Sequence, residues 1–109
     1  MRRLLCCLAL AGLAACDGEP PAGASAEADT LRLGEEKFQS VCATCHGRDG
    51  LGQGIFPSLA GRPADELAAR LRQYKTGHKT GNMSDTMKPF AMALSDQQID
   101  QVSAWLAAQ

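Results

Sequence analysis

Apolar residues recur at helical spacing in three stretches of the chain, and these stretches predict three helices. The first is predicted from about Thr30 to Cys42, with apolar positions three or four residues apart. The second is predicted to start at Pro63, whose fixed φ suits a first helical position, and to stop near Gly77. The third is predicted to follow Ser95. No stretch shows strand alternation, so the pattern predicts an all-α fold.

The third helix has the clearest start signal. Ser95 and Gln98 have the spacing of a capping box, in which each side chain bonds the backbone of the other residue. Leu94 and Ile99 flank this box and are expected to close a hydrophobic staple around it. The buried stripe of this helix is predicted to contain Ile99, Val102, Trp105 and Leu106.

Between the helices lie two turn-rich stretches, residues 47–61 and 77–92. Loops of this length in a small domain need something to pack on, such as a large apolar cofactor. Gly34 lies inside the first predicted helix, where glycine costs stability. Its presence predicts that another helix crosses closely at that point.

The N-terminus has the pattern of an export signal. Two arginines precede an apolar run at residues 4–15, which is shorter than the roughly 20 residues of a spanning helix. The run ends in "LAAC" and resembles the lipobox of bacterial lipoproteins. We therefore expect a signal peptide at residues 1–15, lipidation at Cys16, and retention at the inner membrane because Asp17 follows. The alternative is an ordinary secretory signal with Cys16 incidental.

Composition then divides the remainder of the chain. Residues 16–29 are acidic and rich in Pro, Gly and Ala, and they are predicted to be the lipidated cysteine and a flexible linker before a domain at residues 30–109. The whole chain has 11 Lys+Arg and 12 Asp+Glu, a balance that gives no support to a nucleic-acid partner. Three of the five cysteines lie at or before Cys16, so a disulfide framework is not expected.

The segment "CATCHG", residues 42–47, carries the candidate chemistry. A redox thiol pair would need a strand–helix setting, which the pattern does not predict. A structural zinc site needs four ligands, and after His46 the chain offers only His78. The remaining interpretation is covalent haem attachment, because Cys42 and Cys45 have the spacing of the two thioether positions and His46 follows directly.

With these motifs the chain resembles the class I bacterial c-type cytochromes over residues 30–109. The resemblance rests on "GEEKFQSVCATCHGRDGLG", "FPSLAG" and "MKPFAMALSDQQIDQVSAWL". It implies one covalent haem c, with thioethers from Cys42 and Cys45 and His46 as proximal iron ligand. It also implies that the Pro57 carbonyl accepts the other ring N–H of this histidine. In this family the first and last helices cross, and Gly34, Phe38 and Trp105 fit the contact.

A methionine opposite the histidine would complete the iron site and favour the reduced form. The resemblance places this ligand in a loop before the last helix, and Met87, with Pro89 close behind, fits best. Met83 is the runner-up. Met92 is expected to fill gaps in the core, and His78 is expected to be a solvated loop residue; either of them, or an open site, remains an alternative.

Basic residues are in excess from position 62 to 88, against Asp65, Glu66 and Asp85. This excess could form a docking face for an acidic partner, neutralise haem propionates, or simply be a solvated surface. The basic residues are Arg62, Arg70, Arg72, Lys75, Lys79 and Lys88.

Together these features predict a membrane-tethered periplasmic monohaem cytochrome c. We expect a monomeric electron-transfer protein, not an enzyme. It would carry one electron at a time from a quinol-oxidising complex or dehydrogenase to a terminal oxidase or reductase. One alternative is a haem protein with an open iron site that acts as a gas or peroxide sensor or enzyme. Another is a fixed cytochrome subunit of a larger respiratory complex. The sequence contains no nucleophile–base pair or phosphate-binding loop that would indicate other chemistry.

Overall fold

The computed structural model describes residues 18–109, which contain five α-helices and no strand beyond an isolated bridge between Gln53 and Phe56. The all-α prediction is therefore confirmed. The predicted signal peptide and Cys16 lie outside the described residues. No helix within residues 18–109 has both the length and the apolar character to cross a membrane. The helices are α1 (Ala22–Val41), α2 (Ala43–His46), α3 (Ala64–Lys75), α4 (Ser84–Met92) and α5 (Asp96–Ala107).

Helices α1 and α5 cross where the sequence predicts a close approach. Gly34 is buried, and a Cβ atom there would lie 2.1 Å from the carbonyl oxygen of Gln101 and 2.9 Å from the Cβ of Trp105. One turn further along α1, the ring of Phe38 packs on Trp105 with centroids 4.9 Å apart. The glycine removes the side chain that would separate the helices, and the aromatic pair fills the space beside it.

The predicted start of α5 is also confirmed. The Ser95 hydroxyl accepts a hydrogen bond from the Gln98 backbone N–H at 3.1 Å, and the Ser95 N–H donates to the Gln98 side chain at 3.0 Å. Leu94 and Ile99 belong to one buried cluster with Ala68 of α3. A second cluster joins α1, α2, α3 and α5, and it contains Phe38, Ala43, Leu67, Val102, Trp105 and Leu106.

Two boundaries of the first and second predicted helices differ from the structure. Helix α1 begins at Ala22 rather than Thr30, so residues 22–29 of the predicted flexible linker are helical. Every second residue of this segment is alanine, the best helix former. Its helix is exposed and has no buried apolar stripe, so apolar periodicity does not predict it. Pro63 caps α3 instead of opening it, and Gly77 follows the helix with φ of +79° as a stop.

Helix α4 was predicted as a loop, and that prediction is wrong. Residues 84–92 are helical with Pro89 inside the helix. The missing N–H of this proline costs one hydrogen bond, which makes the segment look broken from its sequence. Tertiary packing of α4 on α3 outweighs the loss, and Ala91 of α4 is fully buried, at 0% exposure.

Candidate cofactor site

A cavity of about 350 Å³ lies among all five helices and the loop that contains Pro57. Side chains from all of these elements line it, and most of them are apolar. Such a lining excludes water and suits a large apolar ligand held by a few placed polar groups. The apolar lining includes Phe38, Val41, Leu67, Leu71, Val102 and Leu106.

The junction of α1 and α2 brings the Cys-x-x-Cys-His residues into this cavity. Cys42 is the residue between the two helices, and its carbonyl accepts hydrogen bonds from the N–H groups of Cys45 at 3.2 Å and His46 at 3.0 Å. This single helical turn points both thiols and the imidazole toward the same cavity, and both cysteines are free thiols.

The Cys42 thiol is not tuned for thiolate chemistry. Burial raises its pKa to about 11, and the nearby charge of Lys37 opposes that shift only in part. Reactive redox cysteines have a lowered pKa, because the thiolate is the nucleophile. The protonated Cys42 thiol therefore argues against a thiol–disulfide exchange site at this position.

His46 is buried and held at two points. Its ring Nδ1 lies 3.0 Å from the carbonyl oxygen of Pro57, and its backbone oxygen accepts from the Gly52 N–H at 2.8 Å. With the ring proton on Nδ1, the ring donates to Pro57 and leaves the lone pair of Nε2 free to bind a metal. The predicted pairing of His46 with Pro57 is thus present in the geometry.

Gly52 permits this arrangement. Its φ is +79°, and a Cβ atom there would lie 2.5 Å from the carbonyl oxygen of Phe56. Only glycine combines the left-handed backbone with this close approach of the Pro57 loop. The sequence marks the segment as turn-rich but does not show which glycine serves the histidine.

Two amide side chains that the sequence analysis missed hold the same region. The Gln39 side chain donates to the Arg48 carbonyl at 2.6 Å, and the Gln53 side chain donates to the Thr44 carbonyl at 3.0 Å. Each bond spans nine residues and joins a helix, α1 or α2, to the loop that follows α2. No local sequence signal announces such bonds, since glutamines on a surface usually face water.

Helix α4 and its N-cap residue carry both candidate methionine ligands. Met83, Met87 and Phe90 follow one another at helical spacing, and all three line the cavity that contains His46. Met87 is half-buried, whereas Met83, at the N-cap of α4, is 37% exposed. The structure therefore brings both thioethers to the cavity, but from a helix rather than from the predicted loop.

The other two alternatives lie away from the cavity lining. Met92 is 57% exposed, so its predicted role in filling the core is wrong. The helical twist of α4 explains this outcome: Ala91 faces the core, and the next residue turns outward. His78 is exposed, as expected for a solvated loop residue.

Three of the six basic residues of positions 62–88 are paired with carboxylates. Arg62 pairs with Glu66, Lys79 pairs with Asp85, and Arg72 bonds Asp100 at 2.8 Å. All of these pairs are exposed, and each contributes little to stability. Arg62, Glu66 and Arg70 also line the cavity, so its edge carries one more positive than negative charge. These residues therefore form a surface of mixed charge rather than one uniform positive face. The cavity edge with Arg62 and Arg70, here called the basic edge, has a small positive excess.

A family model and curated relatives are similar to this chain. The family model described as "Cytochrome C oxidase, cbb3-type, subunit III" matches residues 29–106. Cytochrome c-554(547) of Halothiobacillus neapolitanus is 37% identical over 82 residues, which cover 68% of this chain and 90% of that protein. Cytochrome c-554(548) of Halomonas halodenitrificans is 36% identical over 77 residues, which cover 70% of this chain and 92% of that protein.

Two longer proteins are similar over part of their length. The thiosulfate dehydrogenase electron acceptor of Thiomonas intermedia is 37% identical over 93 residues, which cover 83% of this chain and 43% of that protein. The structure of reduced cytochrome c4 from Pseudomonas stutzeri matches with a TM-score of 0.66 at 25% identity, over 73% of this chain and 48% of that one. The present chain thus spans less than half the length of these two proteins.

The residues at the cavity fit the cofactor that these similarities imply. Two free thiols three positions apart, a buried imidazole with one nitrogen available and a thioether line one largely apolar space. This donor set suits a covalently attached porphyrin with an axially ligated iron. The cofactor is haem c.

Proposed function

The chain belongs to the c-type cytochromes, and from that premise we propose that it is a membrane-tethered periplasmic carrier of single electrons. Its relatives over nearly their whole length are small cytochromes c, and electron transfer is the activity that they share. Bound haem c supplies an iron that cycles between two oxidation states. The protein supplies the ligands, the apolar surroundings and the surface on which partners meet.

Within this proposal, Cys42 and Cys45 form the thioethers, His46 is the proximal ligand and Met87 is the distal ligand. The observation that carries it is that His46 of α2 and Met87 of α4 line one cavity together with both thiols. A thioether favours the reduced iron, and the Pro57 carbonyl orients the imidazole. Because His46 and Met87 would both bind the iron, the site would be suited to transferring electrons rather than to binding small molecules.

Met87 is a better candidate than Met83 because of its position on α4. Met87 is half-buried and lies one turn inside the helix, with its N–H bonded to the Met83 carbonyl at 3.1 Å. Met83 stands at the N-cap, before the first helical residue, and is 37% exposed. A ligand that must remain on the iron in both oxidation states benefits from the more constrained position.

The tether is the lipid expected at Cys16. It is supported by the export-type N-terminus and by the small residues before this cysteine. The helical residues 22–29 add a stiff spacer of roughly 12 Å, at 1.5 Å per residue, between the membrane side and the haem domain. We place the protein on the periplasmic side of the inner membrane. Labelling with a radioactive fatty acid tests whether the protein is lipidated, and loss of label in Cys16→Ser identifies Cys16 as the site.

The electron donor that we favour is a periplasmic dehydrogenase, with a quinol-oxidising complex as the other possibility. Support comes from the relative in Thiomonas intermedia, whose name makes it an electron acceptor of thiosulfate dehydrogenase. The electron then passes to a terminal oxidase or reductase. Stopped-flow mixing of the oxidised protein with candidate donors, followed by the visible spectrum, identifies the physiological one by its rate.

One experiment tests the central claim: a redox titration of the purified holoprotein with visible spectra in both states. We expect a low-spin spectrum in each state, a positive potential and only a slow spectral change when carbon monoxide is added to the reduced protein. Rapid binding of carbon monoxide would instead favour the sensor or enzyme alternative, in which one axial position is open.

The family description favours a second candidate function, a fixed subunit of a respiratory oxidase. A free carrier and a fixed subunit differ in how they behave in detergent extracts. Gel filtration of mildly solubilised membranes distinguishes them, because a subunit migrates with its complex and a carrier migrates alone.

A further inference from the structure

Helix α4, which carries Met87, is joined at its N-terminal end to the loop before it by a polar tie. The Ser84 side chain is 5% exposed, and its hydroxyl donates to the Gly81 carbonyl at 2.8 Å. The same oxygen accepts from the Thr80 N–H at 2.8 Å. These two bonds close the loop that leads into α4 and set the position at which the helix begins.

A second polar tie lies just beyond the C-terminal end of α4. The Lys75 ammonium, at the end of α3, donates to the Leu94 carbonyl at 2.6 Å. Leu94 is 4% exposed and packs in the cluster that contains Ile99. One positive charge therefore stands near the C-terminal ends of both α3 and α4, where the helix dipoles favour it, and it joins them by a charge-assisted hydrogen bond.

Apolar packing alone holds α4 weakly. Its buried residues are Ser84 and Ala91, and neither buries a large apolar side chain. The face with Met83, Met87 and Phe90 is turned to the cavity rather than to the protein core. Because small side chains gain little from burial, the position of the helix depends strongly on the ties at its two ends.

We propose that Lys75 and Ser84 are positioning residues that hold the Met87 thioether in the cavity. This inference rests on the proposed ligation by Met87. Loss of the Lys75 bond frees the C-terminal end of α4 from α3, and loss of the Ser84 bonds loosens the loop that sets its start. In either case the thioether would spend a larger fraction of time off the iron. Lys75 acts from beyond the C-terminal end of α4 and is not among the residues that line the cavity.

The test measures carbon monoxide binding and the reduction potential for the reduced holoprotein and its Lys75→Met, Lys75→Arg and Arg32→Met variants. Binding in Lys75→Met is expected to be about tenfold faster, the effect of losing one hydrogen bond to a charged group. Its potential is expected to fall, because the thioether favours the reduced iron. Lys75→Arg keeps a donor and is expected to stay near wild type. Arg32→Met removes an exposed charge on α1 and is expected to change neither quantity.

A Lys75→Met protein that binds carbon monoxide at the wild-type rate overturns the inference for Lys75. Ser84→Ala tests the other tie with the same two readouts, and it also serves if Lys75→Met does not accumulate as holoprotein. Faster binding in Ser84→Ala supports the inference, and a wild-type rate contradicts it.

Met87→Ala, measured alongside, separates this inference from the proposed function. If Met87→Ala keeps the wild-type spectrum, ligation by Met87 is wrong and the positioning role falls with it. If Met87→Ala binds carbon monoxide while Lys75→Met and Ser84→Ala keep wild-type rates and potentials, ligation stands and only the positioning role is wrong.

Discussion

The backbone of Gly34 lies so close to α5 that a Cβ atom at this position would stand 2.1 Å from the carbonyl oxygen of Gln101. The opposing atom is backbone and cannot rotate away, so any side chain at position 34 forces the two helices apart. Their separation also sets the Phe38–Trp105 contact, which borders the cavity through Phe38.

Gly34→Ala is therefore expected to lower the free energy of unfolding by roughly 2 kcal/mol or more, because overpacking outweighs the gain in helix propensity. Gly23→Ala is a matched control in the same helix, where an added Cβ meets nothing within 4 Å. The control is expected to be neutral or slightly stabilising. Urea unfolding of both holoproteins measures the difference, and equal stabilities would contradict the close crossing.

Gly52→Ala is expected to displace the Pro57 carbonyl from His46, because the new Cβ would lie 2.5 Å from the Phe56 carbonyl oxygen. A weaker hydrogen bond makes the imidazole less electron-donating, so the reduction potential should rise by on the order of tens of millivolts. Gly54→Ala is the control: its φ of +57° strains an alanine similarly, but nothing lies within 4 Å. If the reduction potential rose by the same amount in both variants, the effect would be due to backbone strain alone.

Met87→Ala is expected to convert the protein from a six-coordinate to an open iron site. The reduced variant should bind carbon monoxide, and its potential should fall with the loss of the thioether. Met83 lines the same cavity, and the Met83→Ala variant is expected to keep the wild-type spectrum. The reverse result, with the spectrum altered only in Met83→Ala, would assign the iron ligand to Met83.

Electron transfer to an acidic partner is expected to slow as ionic strength rises, since salt screens exposed charges. Arg70 lies at the edge of the cavity and is exposed, so Arg70→Gln should lower the rate at low salt and flatten the salt dependence. Arg32→Gln, on α1, carries the same change of charge as a control. A rate indifferent to salt would indicate that the basic edge has no role in docking.

Local signals in the chain predicted the parts of the fold whose partners are neighbours in sequence. The capping box of Ser95 and Gln98 spans three residues, and both of its hydrogen bonds are present. Gly34 is a different case. Glycine lowers the stability of a helix interior, so its presence predicts a close neighbour, and in the structure that neighbour is α5. The glycine indicated a crossing, although it could not name the residue that is crossed.

Helix α4 is an element that local sequence signals do not predict. Pro89 breaks the local hydrogen-bond pattern, so the segment reads as a loop, yet packing on α3 makes it helical. The same helix turns Met92 to solvent and Met87 to the cavity. These outcomes depend on how a whole helix docks, which no spacing within the segment records.

By itself, the sequence determined the all-α class and the thiol–thiol–imidazole chemistry of residues 42–46, because one helical turn positions all three groups. Tertiary structure alone decided that both Met83 and Met87 reach the cavity of His46, and that Lys75 and Ser84 hold the helix that carries them. The physical reason is range. Hydrogen bonds within a turn act between near neighbours in the chain, whereas the site is completed by residues that come together only when α3 and α4 pack.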